Sequence, residues 1–190
     1  MYIIPGILGF FACCLFDLNK VKWQSRILNH FFTIGSLLLV YSTLSALLKS
    51  DFKTLIHNFH IEQGLLLVGV LLSGAALIYV LFFALPFEST YMETETLPVV
   101  DSGVYAACRH PGFWVFALFY LLLGFFLSNP YVTLEAIIYS ICNFIYIYIQ
   151  DRFIFPHYIR GYDEYKKTVP FLIPNRRSLR KAFSRNCCSK

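Results

Sequence analysis

Residues 103–113 read GVYAACRHPGF, and they stand directly before an apolar run that is long enough to enter a membrane. A second polar stretch, residues 150–174, begins where the last apolar run ends. Between them lie two apolar runs joined by a very short connection, residues 128–130, whose Ser-Asn-Pro sequence is typical of a tight turn. Two spans joined in this way form an antiparallel hairpin. The two polar stretches are therefore predicted to meet at one membrane face.

The composition of the chain is typical of an integral membrane protein. Of its 190 residues, 57% are hydrophobic and only 14% are charged, whereas roughly a quarter are charged in ordinary soluble domains. The 20 Phe and 13 Tyr residues fit a chain that is surrounded by lipid and has many rings at the membrane interfaces. The length predicts a single membrane domain over residues 1–190.

Five apolar runs predict an all-α integral membrane fold with about five transmembrane helices. The runs cover residues 2–18, 27–48, 64–85, 112–127 and 131–149. They divide the chain into three N-terminal spans within residues 1–86, a core over residues 87–174 that contains the hairpin of spans 4 and 5, and a basic tail over residues 175–190. Small residues in the third run predict close helix packing, because glycine lets helix backbones approach each other in lipid.

The distribution of Lys and Arg predicts the orientation. With five spans, the first connection, the third connection and the C-terminal segment carry 14 of the 16 Lys and Arg residues, and the opposite side carries Lys49 and Lys53. The positive-inside rule then predicts a multi-pass protein with its N-terminus outside and a basic C-terminal segment in the cytoplasm, in a bacterial inner membrane or the endoplasmic reticulum. The basic segment indicates affinity for anionic membrane lipids, and nucleic-acid binding is not expected.

Three other polar features are assigned ordinary roles. Glu135 lies one turn into the fifth span, where an acid is a functional candidate, but so near a helix end we expect it to reach water or to cap the helix. His57 and His60 have no carboxylate or thiolate partner nearby in the sequence, so no metal site is predicted. The six cysteines have neither zinc-ligand spacing nor a disulfide framework.

The residues that could carry chemistry lie at the two ends of the hairpin. Arg109 and His110 precede a membrane helix that Pro111 would start, and the free N–H groups of a helix start favour an anion or an acceptor oxygen. Residues 151–152, Asp-Arg, would emerge at the same depth. Tyr162 and Tyr165 are three apart and can face one way on a helix. Taken singly, these are also explained as boundary cations, an interfacial histidine and an aromatic belt.

The joint pattern resembles the superfamily of isoprenylcysteine carboxyl methyltransferases and phospholipid methyltransferases. The motif is Gly-x-Tyr-x-x-x-Arg-His-Pro-x-aromatic, then an acidic pair, then Tyr-x-x-Tyr-x-x-x-Val-Pro-x-x-x-Pro, and it covers roughly residues 87–174. The residues that carry it are Gly103, Tyr105, Arg109, His110, Pro111, Phe113, Asp151, Tyr162, Tyr165, Val169, Pro170 and Pro174.

The resemblance implies a small multi-pass enzyme that binds S-adenosylmethionine at the cytoplasmic face and methylates a lipid or small apolar acceptor. The cofactor would be bound by Tyr105, His110, Pro111, Asp151, Tyr162 and Tyr165. His110 and Arg109 are the catalytic candidates. His110 would accept a proton from an amine or thiol acceptor, and Arg109 would hold a carboxylate or orient the acidic residue.

Departures from the family pattern leave two alternatives open. Gln150 stands where the family usually has the first residue of a Glu-Glu pair, which favours a catalytically inactive relative. The fifth span also lacks the Arg that isoprenylcysteine enzymes use for the substrate carboxylate. Sterol and enone reductases that use NADPH share a similar C-terminal pattern, although they typically have Asn where this chain has Gly112.

Overall fold

Helices form most of the chain that the structure describes. This computed structural model describes residues 3–57, 59–83 and 97–184. The five longer helices are α1 (Ile3–Lys22), α2 (Phe31–Leu48), α4 (Ile61–Ile78), α6 (Pro111–Phe126) and α7 (Pro130–Ile149). The shorter ones are α3 (Phe52–His57), α5 (Val104–Ala107), α8 (Phe155–Tyr158), α9 (Tyr162–Thr168) and α10 (Arg176–Ser184). Two strands of two residues each, β1 (Leu97–Pro98) and β2 (Ile159–Arg160), pair in parallel.

Four helical segments in the described ranges are long and apolar enough to cross a membrane. They are Ile3–Lys22, Leu28–Leu48, Ile61–Ile78 and Pro130–Tyr158. Helix α6 has 16 residues and measures about 24 Å at 1.5 Å per residue, which is shorter than the roughly 30 Å of a bilayer hydrocarbon core. The prediction of an all-α membrane protein is confirmed in this form, and the count of five spans stays a prediction.

The last long helix continues beyond the predicted end of the fifth span. Helix α7 begins at Pro130, and the side chain of Asn129 accepts a hydrogen bond from the Tyr131 N–H at 3.0 Å. At its other end the backbone continues through a π-helical turn, Gln150–Ile154, into α8. Asp151 therefore lies within a continuous helical segment rather than in a connection. Single π-helical turns inside α-helices are frequent at functional sites.

Small residues bring the helices of the bundle into close contact. A Cβ atom placed on Gly9 of α1 would lie 2.7 Å from the main-chain oxygen of Gly35 in α2, so these helices touch backbone to backbone. In the third apolar run, a Cβ atom placed on Gly69 would lie 3.1 Å from Cδ1 of Leu122 in α6. The predicted close packing of the third run is seen at Gly69, whereas the contact between Gly9 and Gly35 was not predicted.

Side-chain hydroxyls join α2 to the hairpin. The Ser42 hydroxyl lies 2.5 Å from that of Tyr139 in α7, and the Thr43 hydroxyl lies 2.6 Å from that of Tyr120 in α6. Such bonds satisfy polar groups that would otherwise face hydrocarbon. They fix the rotation of α2 relative to α6 and α7.

The prediction that Glu135 reaches water is wrong. Only 1% of its surface is exposed, and its Oε2 atom has no hydrogen-bond partner among the described residues. Glu135 belongs to the inward face of α7 together with Val132, Ala136 and Tyr139, which are all buried. The position of a residue around the helix axis decided its exposure here, and its nearness to the helix end did not.

Candidate functional site

The two polar stretches are joined first by their main chains. Residues 108–110 join α5 to α6, and they lie beside the segment that follows α9. The Arg109 N–H donates to the Pro170 carbonyl at 3.0 Å, and the His110 N–H donates to the Phe171 carbonyl at 3.3 Å. Pro111 then starts α6, as expected for a proline in a first helical turn. These bonds bring the start of α6 against the C-terminal segment.

The Asp151 carboxylate is the centre of the site. Its Oδ1 atom accepts a hydrogen bond from the Tyr162 hydroxyl at 2.7 Å and lies 2.8 Å from Arg109 Nε. Its Oδ2 atom accepts a hydrogen bond from the Arg109 guanidinium at 3.2 Å and lies 3.8 Å from Lys166 Nζ. Lys166 Nζ also donates to the main-chain carbonyl of Asp151 at 3.2 Å. Asp151 is buried, so its negative charge is balanced inside the protein rather than by water.

Arg109 joins the carboxylate to the C-terminal segment. Its guanidinium donates to the carbonyls of Lys166 and Val169, both at 3.2 Å. The guanidinium carbon lies 5.6 Å from the centre of the Phe171 ring, within the range of a cation–π contact. Arg109 Nε is buried and, although it is close to Asp151, lies outside hydrogen-bond geometry. Arg109 therefore positions Asp151 and the end of α9.

His110 is held between aromatic rings next to Asp151. Its ring stacks on Phe155 with 5.9 Å between centroids and meets the edge of Phe171 at 5.0 Å. Its Nε2 atom is 3.4 Å from Asp151 Oδ1 and has no hydrogen-bond partner among the described residues. Burial lowers the pKa of His110 below its ordinary value of 6.5, and the nearby Asp151 carboxylate offsets part of that effect. Burial therefore favours the uncharged form of the imidazole.

The three predicted tyrosines act as hydrogen-bond donors. Burial raises the pKa of Tyr162, and its hydrogen bond to the Asp151 carboxylate raises that pKa further. Burial also raises the pKa of Tyr165, whose hydroxyl donates to the Tyr105 carbonyl at 2.6 Å. The Tyr105 hydroxyl donates to the Val80 carbonyl at 3.4 Å. Tyr105 and Tyr165 therefore join α5 to α9, and only Tyr162 touches Asp151 directly.

Two residues expected near the carboxylate lie elsewhere. Arg152 is exposed, and no hydrogen bond or ion pair is recorded for it within the described ranges, so the guanidinium of the cluster is that of Arg109 alone. Gln150 faces α1, where its Nε2 donates to Asp17 Oδ2 at 2.7 Å. Adjacent residues of a helix point about 100° apart, so Gln150 and Asp151 serve different clusters.

The sequence reasoning missed Asp17 and Lys166. Asp17 lies near the end of the first apolar run, is buried, and accepts hydrogen bonds from both Gln150 and Tyr146, the latter at 2.6 Å. An acid inside an apolar run was the available signal. Lys166 lies four residues after Tyr162 and so shares its face of the helix, which was the available signal.

A cavity of about 330 Å³ lies around residues 156–164, and Tyr162 is the one predicted site residue that lines it. Tyr162 lines it together with Arg160, Asp163 and Glu164, and this volume falls at the lower end of the range of small-molecule sites. A larger cavity, of about 530 Å³, lies around the connection between α6 and α7, and none of the predicted site residues lines it. Within the described ranges, no three His, Cys, Asp or Glu side chains are grouped as metal ligands.

Comparisons with known proteins found no matching family model, no matching curated protein and no matching solved structure. The resemblance of the motifs to the methyltransferase superfamily therefore stays a prediction.

Proposed function

We propose that the protein transfers a methyl group from S-adenosylmethionine to a lipid or another small apolar acceptor at this membrane face. The observation that carries the proposal is the meeting of three separate parts of the chain around one carboxylate. Arg109 and His110 come from the start of α6, Asp151 from the end of the α7 segment, and Tyr162 from α9. If the methyltransferase-like motif forms one binding site, its separate parts must meet in this way. The arrangement of apolar runs alone does not require them to meet.

The residues around His110 fit a sulfonium cofactor. Arg109 Nε and His110 Nε2 both lie beside Asp151 Oδ1, at 2.8 Å and 3.4 Å, so a ligand would meet the other side of the His110 ring. The Phe155 and Phe171 rings beside the imidazole could stabilise a sulfonium cation. In the cavity that Tyr162 lines, Arg160 would pair with the carboxylate of the cofactor. When bound, the cofactor would supply an electrophilic methyl group.

The chain itself would contribute orientation, proton acceptance and exclusion of water. Neutral His110 would accept a proton from an amine or thiol acceptor. Arg109 and Tyr162 would hold Asp151 in place. The position of the His110 ring relative to the cavity would then stay constant. The burial of His110 and Asp151 would keep water away from the reacting atoms.

The proposed arrangement in the membrane has five spans, with the N-terminus outside and the site in the cytoplasm. Most Lys and Arg residues lie on the side of the site, which supports this orientation. Trp114 in the first turn of α6 is 49% exposed, as suits a ring at the membrane interface. An apolar acceptor would reach the site sideways from the bilayer, which gives the enzyme a reason to be embedded.

A second candidate is a relative without catalytic activity, in which the Asp151 cluster is only a clamp. The observation that favours it is the number of partners that the chain itself supplies to Asp151: Arg109, Tyr162 and Lys166 all contact the carboxylate. A cofactor would have to use the remaining side of His110 and the cavity, or displace one of these groups. A membrane reductase that uses NADPH is the remaining alternative.

Calorimetry on the detergent-purified full chain separates the three candidates. S-adenosylmethionine and S-adenosylhomocysteine are titrated first, and NADPH is titrated in parallel. Methyl transfer predicts micromolar binding of both adenosyl ligands, and His110→Ala should weaken it about tenfold, because a buried hydrogen bond contributes roughly 1.5 kcal/mol. Exposed Arg152→Gln is the matched control and should bind like the parent. Binding of NADPH alone, or of no ligand, would reject the methyltransferase.

A further inference from the structure

Helix α10 presents three different surfaces. Ser178 and Ala182, four residues apart, are buried where α10 packs on α5. Leu179 and Phe183, also four apart, are 40% and 74% exposed. Arg176 precedes Leu179 by three residues and Arg180 precedes Phe183 by three, so the two exposed arginines lie next to this apolar pair. The outward side of α10 is therefore apolar along one edge and basic along the other.

The helix is held in place, so its outward side has a defined direction. Asn175 accepts a hydrogen bond from the Ser178 N–H at 2.8 Å, and the Asn175 N–H donates to the Ser178 hydroxyl at 3.0 Å. This reciprocal pair caps the start of the helix. Near the other end, Lys181 Nζ lies 2.9 Å from Asp101 Oδ2, which ties α10 to the segment before α5.

The segment that precedes α10 is bonded to the first turn of α6. The indole N–H of Trp114, in the first turn of α6, donates to the Leu172 carbonyl at 2.9 Å. The next residue, Ile173, is 75% exposed. Tryptophan is enriched at the boundary between lipid and water, where its ring suits both phases. The segment that leads into α10 is thus fixed to a side chain suited to the membrane boundary.

The charge on α10 has one sign. Its sequence contains Arg176, Arg177, Arg180 and Lys181 and no acidic residue. Of these four, Lys181 alone has a salt bridge recorded within the described ranges. A helix with a basic side and an adjacent apolar edge suits the plane of a membrane surface, where arginine attracts anionic headgroups and apolar side chains contact acyl chains.

We propose that α10 binds anionic phospholipid at the membrane surface. Arg176 and Arg180 contact the phosphate-bearing headgroups, and Leu179 and Phe183 face the acyl chains. The exposed apolar edge and the nearby Trp114 favour lipid over an acidic protein or a nucleic acid, because those polyanions supply no hydrocarbon for Phe183. Lipid binding at α10 requires no cofactor, so it can be tested whether or not the protein transfers methyl groups.

The proposal has a consequence for the candidate site. Helix α10 packs on α5, and α5 carries the Tyr105 carbonyl that accepts a hydrogen bond from Tyr165. Lipid bound at α10 therefore stabilises α5 in the position that holds α9 next to Asp151. Contact with the membrane surface then helps to hold the candidate site in its observed geometry.

Native mass spectrometry of the full chain in a neutral detergent tests the lipid preference. Phosphatidylglycerol and phosphatidylcholine with the same acyl chains are titrated separately, and the bound lipids are counted. We expect tighter binding of phosphatidylglycerol, and Arg176→Gln/Arg180→Gln should weaken it roughly 25-fold, at about fivefold for each charge near the surface. The matched control is Lys22→Gln/Arg26→Gln, which removes two exposed cations from the first connection and should lose much less.

Two further measurements decide between a lipid site and a general effect of charge. Arg176→Lys/Arg180→Lys keeps both charges and should retain most of the binding, which also shows that the helix tolerates substitution there. A short oligonucleotide and an acidic peptide are tested as other polyanions. Equal binding of the two lipids, equal losses in the Gln and control variants, or loss of only oligonucleotide or peptide binding in the Gln variant would each overturn the proposal.

Discussion

Replacing Asp151 by Asn tests the clamp that holds the candidate site together. The substitution keeps the shape of the side chain and removes its charge. It leaves the Arg109 guanidinium, whose side chain is 10% exposed, without its counter-ion. The carbonyls of Lys166 and Val169 remain as partners of Arg109, and the new amide oxygen can still accept a hydrogen bond from Tyr162. Most of the polar contacts therefore survive, and the charge balance does not.

The expected loss follows from the burial of the pair. Removing one member of a buried ion pair costs about 3–5 kcal/mol, because the other charge stays uncompensated. Because the carbonyl contacts of Arg109 survive, Asp151→Asn should lower the free energy of unfolding by about 3 kcal/mol, near the lower end of this range. Tyr162→Phe removes one hydrogen bond to a charged group and leaves Arg109 and Asp151 paired. It should cost less, about 1.5–2 kcal/mol.

Equilibrium unfolding in mixed micelles with increasing dodecyl sulfate measures these differences. With Trp23 replaced by Phe, Trp114 is the one remaining tryptophan of the chain, and its fluorescence reports on the C-terminal segment because its indole bonds to the Leu172 carbonyl. A double-mutant cycle with Arg109→Gln isolates the pair, and the double variant should lose about 1–3 kcal/mol less than the sum of the single variants. Additive losses, or a loss for Asp151→Asn no larger than for exposed Arg152→Gln, would refute the assignment of Asp151 as the central carboxylate.

Three further outcomes follow from the structure. Gly6→Ala should destabilise the bundle by about 1–3 kcal/mol in the same unfolding assay, because the new Cβ atom would meet the buried Tyr139 ring, and an unchanged midpoint would contradict this packing. Gln150→Leu should cost about 1–3 kcal/mol by removing the 2.7 Å hydrogen bond to Asp17 while leaving adenosyl-ligand affinity at the parent value, and a selective loss of affinity would place Gln150 in the site. The folded-state pKa of His110 lies below 6.5, so the unfolded chain binds more protons than the folded chain as the pH falls below 6.5. The free energy of unfolding should therefore decrease below pH 6.5, and His110→Gln should remove that pH dependence. An NMR titration midpoint of the imidazole above 6.5 would contradict this.

Features with local causes could be predicted from neighbouring residues. Asn129 and Pro130 predict the start of α7 because a capping side chain and a proline satisfy the first turn of a helix, and the structure begins the helix there. Pro111 starts α6 for the same reason. The hairpin geometry then brings Arg109 to Asp151, since the two ends of an antiparallel pair lie at one face.

Features that depend on direction around a helix could not be predicted in this way. Glu135 was expected to reach water from a position near a helix end, and it is buried because its side of α7 faces the bundle. Gln150 was expected beside Asp151, and it faces α1 instead. No pattern within α7 identifies the helix that packs against each of its sides.

The sequence by itself determined that this chain is a membrane protein, because long apolar runs with so few charges are stable in lipid. It also determined where the principal helices of the hairpin begin and that its two polar ends meet. Only the tertiary structure decided that Asp151 is shared by Arg109 and Tyr162, and that Asp17 of α1 bonds to Gln150. The reason is physical: helix starts depend on residues a turn apart, whereas these bonds depend on how distant helices rotate to satisfy every buried polar group.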